Sequence, residues 1–191
     1  VLQDGRIHGY ARKSRLPNYG VFDEERYFEA SPECSIIEVD GVRIGISVCE
    51  DIWFPGAPAS EAVAAGARLL INCSASPFHA GKGKERLEML KARTAEHRVP
   101  ILYAALVGGQ DELVFDGQSL AVDSDGALIA RAKQFEEDLL LVDVDLPRAS
   151  ADAAPSPHLH PIAVLRTAGM QPSTANANRV EPELDRVAEI K

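Results

Sequence analysis

Long apolar runs are missing from this sequence of 191 residues. None approaches the roughly 18 to 20 residues that a membrane-spanning helix needs. Basic residues are in deficit, 20 against 29 acids, for a formal charge of −9. That balance excludes a phosphate-binding, nucleic-acid role, which needs clustered Lys and Arg. Cysteines are few and odd in number: Cys34, Cys49 and Cys73, with no CxxC pair. Neither a zinc site nor a disulfide framework fits that spacing, and no metal site is expected. The opening VLQDGRIHGY has no apolar core of the signal-peptide type and little basic amphipathic character. A reducing, cytoplasmic setting is the expectation.

What is present is a chain with 46% hydrophobic residues, enough for a full core, and one main domain is the default. The first thirty residues are broken by Gly5, Gly9, Pro17 and Gly20. CSIIEVD and VRIGISVCE then read as two strands joined by the hairpin signal Asp40-Gly41. PASEAVAAGAR reads as a short helix with Ser60 as its cap. RLLINCS has the uniformly apolar character of a strand inside a sheet. Residues 82–97 have helical period, with Leu87, Leu90 and Thr94 on one face. VPILYAALVG reads as a buried strand, and QSLAVD, GALIARA and DLLLVDVDL as three antiparallel strands. Interleaved strands with two helices predict a layered α/β fold with a mixed sheet. From position 147 onward lie six of the twelve prolines, so 148–180 reads as a linker. EPELDRVAEIK then reads as a helix opening, with Pro182 in its first turn.

The chemistry concentrates on GISVCEDIW, residues 45–53, where a buried strand ends on a thiol followed by two acids. Neighbouring negative charge opposes the reactive thiolate, so a catalytic Cys49 requires a compensating cation. Two irregular polar segments could supply partners: RKSRLPNYGVFDEERYF upstream, with Lys13, Tyr19 and Glu24, and NCSASPFHAGKGKER downstream of an apolar strand. Loops at strand ends are where sites of α/β proteins are built. Cys34 and Cys73 read as small core residues.

These segments together resemble the carbon–nitrogen hydrolase (nitrilase) superfamily, and within it the glutaminase domain of glutamine-dependent NAD synthetase. The resemblance covers about residues 5 to 147 and includes FDGQSLAVDSDG at 115–126. It implies a nitrilase-like α-β-β-α sandwich with mixed sheets. It also implies glutamine amide hydrolysis through a Cys thioester in a Glu-Lys-Cys mechanism, supplying ammonia to ATP-dependent NAD synthesis from deamido-NAD. Carried over by position, Cys49 is the nucleophile, Lys13 the cation that favours the thiolate, and Glu24 a second glutamate beside the lysine. Tyr19, Glu50, Ser76 and Lys82 match residues that bind the amino-acid head of glutamine, with Ser74 an alternative hydroxyl to Ser76.

The family's general-base glutamate lies well N-terminal to its lysine, whereas twelve residues precede Lys13 here. The expectation is therefore a fragment. Residues 1–147 would be a partial glutaminase domain without its N-terminal part, and 181–191 the start of a truncated synthetase domain; the fragment alone would be inactive. No cofactor is expected for the glutaminase step; ATP, Mg and deamido-NAD would belong to the synthetase domain, whose SGGxDS loop is absent from this sequence. Expected partners are glutamine, the synthetase domain and further copies in a homo-oligomer, with no nucleic acid and no membrane. Competing readings are a stand-alone nitrilase-like amidase on another small amide and a non-catalytic binding or assembly domain.

Overall fold

The computed structural model describes residues 1–148, 158–165 and 178–184. Its centre is a seven-stranded mixed sheet in the order β10-β9-β6-β5-β4-β3-β11. The strands are β3 (Cys34–Val39), β4 (Val42–Val48), β5 (Leu69–Ser74), β6 (Ile101–Ala105), β9 (Leu120–Val122), β10 (Leu128–Arg131) and β11 (Leu159–Leu165). Two small hairpins lie outside it: β1 (Leu2–Gln3) with β2 (Arg6–Ile7), and β7 (Val107–Gln110) with β8 (Leu113–Asp116).

The register follows from the sequence. Asp40 and Gly41 both take positive φ, 48° and 79°, as the tight turn between β3 and β4 demands. The apolar β5 lies parallel to β4 on one side and β6 on the other, pairing Ile46 with Ile71 and Asn72 with Tyr103. All three parallel strands therefore end on one side of the sheet, and the loops that follow them meet there.

Helices α1 (Ala59–Ala64) and α2 (Lys82–His97) share one face of the sheet. Ala59, Ala62 and Ala65 of the α1 region and Leu90 of α2 join Ile36, Leu70, Ile101, Tyr103, Leu120 and Val122 in the core. The small alanines let α1 come close, and Gly45 beneath them has no room for a side chain. A β-carbon there would stand 2.9 Å from Ala62 Cβ and 2.7 Å from Leu70 Cδ2. The opposite face carries Ile44, Ile46, Ile71 and Leu102, all half-buried. Among the described residues the fold is thus one helical layer on one mixed sheet, two of the four layers of the expected sandwich.

Some expectations are corrected. Ser60 is not the cap of α1: Pro58 holds the N-cap position and no side chain caps it. DLLLVDVDL forms no strand and pairs with no ladder among the described residues, and Leu139 and Leu141 are exposed. The stretch read as a linker contains β11, which pairs parallel to β3. Of the helix opening at EPELDRVAEIK, residues 181–184 are non-helical and the remainder lies outside the described residues.

Candidate active site

At the end of β4 the chain leaves the sheet in a 3-10 turn, Cys49–Ile52. Cys49 itself adopts φ 47°, the left-handed region that a residue with a β-carbon avoids. Backbone strain of this kind collects where a side chain must be aimed. Asn72 on β5 supports the turn: its Nδ2 donates to the Cys49 carbonyl at 3.3 Å and to Ser47 Oγ at 2.9 Å.

Asp51, the second acid behind the thiol, is fully buried and accepts three backbone hydrogen bonds. Oδ1 takes Ser14 N at 3.1 Å and Arg15 N at 2.8 Å; Oδ2 takes Val48 N at 3.0 Å. Burial pushes this carboxyl upward from its ordinary value, opposed by those bonds and by the charge of Lys13. Sequence reasoning took Asp51 only as unfavourable charge beside the thiol.

Two cavities meet at Cys49. The larger, about 710 Å³, is lined by Lys13, Glu24, Glu29, Cys49, Cys73 and Phe28, among others. Within it the Lys13 ammonium is bonded to the Glu24 carboxylate, and both side chains are mostly enclosed. The structure thus brings together Cys49, Lys13 and Glu24, which lie far apart in sequence. Cys73 corrects the expectation of a small core residue: it is exposed and shares this cavity with Cys49, whereas Cys34 is buried.

The second cavity, about 320 Å³, is lined by Tyr19, Cys49, Glu50, Trp53, Ser76 and Lys82 with neighbouring residues. Tyr19 OH donates to Glu50 Oε1 at 2.6 Å. That bond, with partial burial and the Glu50 charge, pushes the Tyr19 phenol up to about 12. Lys82, the first residue of α2, lies with its ammonium 4.0 Å from the Trp53 ring centroid and 3.5 Å from Glu85 Oε2. All four expected head-group residues therefore line one cavity. Ser74 does not share it: its hydroxyl is taken by Tyr103 OH at 2.5 Å and faces the larger cavity.

Behind this wall Arg86 of α2 and Asp116 at the end of β8 form a buried two-pronged ion pair, at 2.9 and 3.2 Å. Arg86 also packs 5.5 Å from the Tyr103 ring. Burial pulls the guanidinium down, and the bonds and charges of Asp116 and Tyr103 together outweigh it, so the net shift is upward. Among the described residues, no group of three His, Cys, Asp or Glu side chains is placed to hold a metal, and no helix is long and apolar enough to cross a membrane.

The chain is similar to several known proteins. Glutamine-dependent NAD(+) synthetase of Thermotoga maritima is 46% identical over 147 residues, which is 76% of this chain and 26% of that protein. The structure of glutamine-dependent NAD+ synthetase from Acinetobacter baumannii in complex with ADP superposes with TM-score 0.68 at 35% identity, over 72% of this chain and 26% of that one. A variant of the amidase from Nesterenkonia sp. AN1, showing covalent addition of the acetamide moiety of fluoroacetamide at its active site cysteine, superposes with TM-score 0.54 at 27% identity, over 63% of this chain and 44% of that one. The chain spans about a quarter of the length of the synthetases it matches. The family model described as carbon-nitrogen hydrolase matches residues 1–154, the strands and loops that build both cavities, and the chain belongs to that family.

Proposed function

We propose that this chain carries the glutamine-hydrolysing site of a glutamine-dependent NAD synthetase. The observation that carries the reading is the position of Cys49 between two unlike cavities. One side offers an anion, Glu50, and a cation, Lys82, to a zwitterionic amino-acid head; the other offers Lys13 and Glu24 near the thiol. Glu50 suits the α-ammonium of glutamine, and Lys82 with Ser76 suits the α-carboxylate. The bound side-chain amide then lies at the thiol. The Cys49 thiolate attacks the amide carbon, and the oxyanion is held by the Lys13 ammonium and the Glu50 backbone N–H. Ammonia leaves, the thioester adds water, and glutamate and the free thiol are released.

A carboxylate must take the thiol proton and later activate water. Glu24 already holds Lys13 and is not assigned that part. ATP, Mg and deamido-NAD are assigned to a synthetase domain of the same polypeptide, and a cytoplasmic homo-oligomer completes the reading.

The test is Cys49→Ala in the complete gene product. Glutamine-dependent NAD synthesis should vanish while synthesis from added ammonia persists, because the second chemistry has its own site. A diazo-ketone analogue of glutamine should label Cys49 well ahead of Cys73, although both thiols face one cavity. Equal labelling of the two, or retained glutamine use by Cys49→Ala, overturns the assignment.

A further inference from the structure

Lys13 belongs to a segment without regular structure, and an electrostatic role requires that segment to be held in place. The described backbone contacts show what holds it. The Lys13 carbonyl accepts Ser31 N at 2.9 Å. The hydrogen-bonded link from the backbone of residues 13–15 to the turn bearing Cys49, among the described residues, is through the Asp51 carboxylate. One oxygen holds Ser14 and Arg15; the other holds Val48, the residue before the nucleophile. The carboxylate is fully buried, and among the described residues its hydrogen bonds come from main-chain groups.

We infer that Asp51 is a positioning residue for the reaction. Its two oxygens join the strand end carrying Cys49 to the segment carrying Lys13, and so fix the distance between thiol and cation. The inference rests on the glutaminase reading for its catalytic meaning, but the joint itself can be read without turnover. Aspartate is the side chain that fits. In Asp51→Asn, one acceptor survives for Ser14 and Arg15, while an NH2 group would face the Val48 N–H, donor against donor. In Asp51→Glu, the charge survives on a stem one methylene longer, which moves the segment. Neither change touches Lys13, and neither removes a group from the head cavity. The Arg15 guanidinium, which donates to Ala57 O at 3.1 Å, is a second and exposed anchor of the same segment.

The experiment is a double-mutant cycle between Asp51 and Lys13 in the complete gene product. A misplacement near 1 Å costs about 10² in rate, so Asp51→Asn should lower kcat for glutamine about a hundredfold. The KM should stay within about threefold, and ammonia-dependent synthesis should be unchanged. In the Lys13→Ala background the same substitution should cost less than about twofold, because its effect passes through Lys13. Asp51→Glu, which preserves the buried charge, should behave as Asn does, and it serves where Asn prevents folding. Arg15→Ala should change kcat by less than about threefold. The readout independent of turnover is iodoacetamide labelling of Cys49 at neutral pH. Either Lys13→Ala or Asp51→Asn should slow it about tenfold, and the pair together no further. An equal loss in both Lys13 backgrounds, or an unaltered labelling rate in Asp51→Asn, overturns the inference even if Cys49 is confirmed as the glutaminase nucleophile. Should Cys49 prove dispensable for glutamine use, the glutaminase reading falls while the labelling cycle still decides the joint.

Discussion

Breaking the Arg86–Asp116 pair is the sharpest test of how the wall behind the site is built. Both side chains are 1% exposed, and the guanidinium meets the carboxylate at 2.9 and 3.2 Å. Arg86→Met keeps the apolar stem and removes the charge. Asp116 is then left buried with a single side-chain donor, Gln134 Nε2 at 3.3 Å. An uncompensated buried charge of this sort costs about 3–5 kcal/mol. Replacing both partners by apolar groups, as Arg86→Met with Asp116→Leu, removes the charge imbalance and should cost no more than about 1–2 kcal/mol. Urea unfolding followed by circular dichroism measures both. With a slope of about 2 kcal/mol per molar, the single variant should lose about 2 M in midpoint at unchanged slope. Lys82 lies one turn before Arg86 on α2, so weaker glutamine binding should accompany the single change. A single-variant loss below about 1 kcal/mol, or a double variant as unstable as the single, would refute the claim that paired burial holds α2 against β8.

Two further outcomes follow from the titrating groups. Spectrophotometric titration of the four tyrosines should lose one ionisation near pH 12 in Tyr19→Phe, while buried Tyr103, also pushed up by desolvation, still titrates late; an unchanged high-pH curve in Tyr19→Phe would mean the bond to Glu50 does not form. The same substitution should raise the KM for glutamine about tenfold with little change in kcat, because a hydrogen bond to a charged partner is lost. His97 is buried at the end of α2, and burial, with a smaller contribution from Arg93, lowers its pKa despite the charge of Glu96. A basic group depressed in the folded state stabilises above its unfolded value, about 6.5, and that stability is lost as pH falls through the folded value. Wild-type Tm should therefore drop as pH falls below about 6.5 more steeply than that of His97→Gln, by differential scanning fluorimetry; parallel curves would remove His97 from the account.

How much was legible in the sequence depended on whether the deciding contact was local. The β3–β4 hairpin could be read because Asp40-Gly41 specifies its turn within two residues. Helix α2 could be read because its stripe of Leu87, Leu90 and Thr94 repeats at helical period within the segment itself. DLLLVDVDL was misread because its composition records a preference for extended backbone and cannot show whether a strand edge is free beside it. The segment is tied instead by Asn178 to Asp143, and the Pro147 carbonyl that follows it accepts Arg68 Nε at 2.6 Å. β11 was missed for the converse reason: a stretch rich in proline and alanine pairs because the edge of β3 is there to receive it. In the site, the seven expected residues came from resemblance, and the folded chain gathers them around one thiol. Asp51 escaped notice because a carboxylate beside a cysteine reads as charge, and nothing local reveals that its partners are main-chain groups of residues 14 and 15.

The left-handed backbone at Cys49 sets evolutionary and engineering pressure against each other. A β-carbon in that region costs about 1–2 kcal/mol, a cost that glycine escapes. Elsewhere in a helix or strand, alanine is favoured over glycine by about 0.5–1 kcal/mol; at position 49 the order reverses. The fold would relax if the whole Cys49 side chain were replaced by a hydrogen atom, so on the proposed function the nucleophile is kept by selection on chemistry against the preference of its own main chain. A library of variants ranked only by melting temperature would drift toward glycine at this position, and the top of that ranking would fill with folded proteins that have lost the reaction.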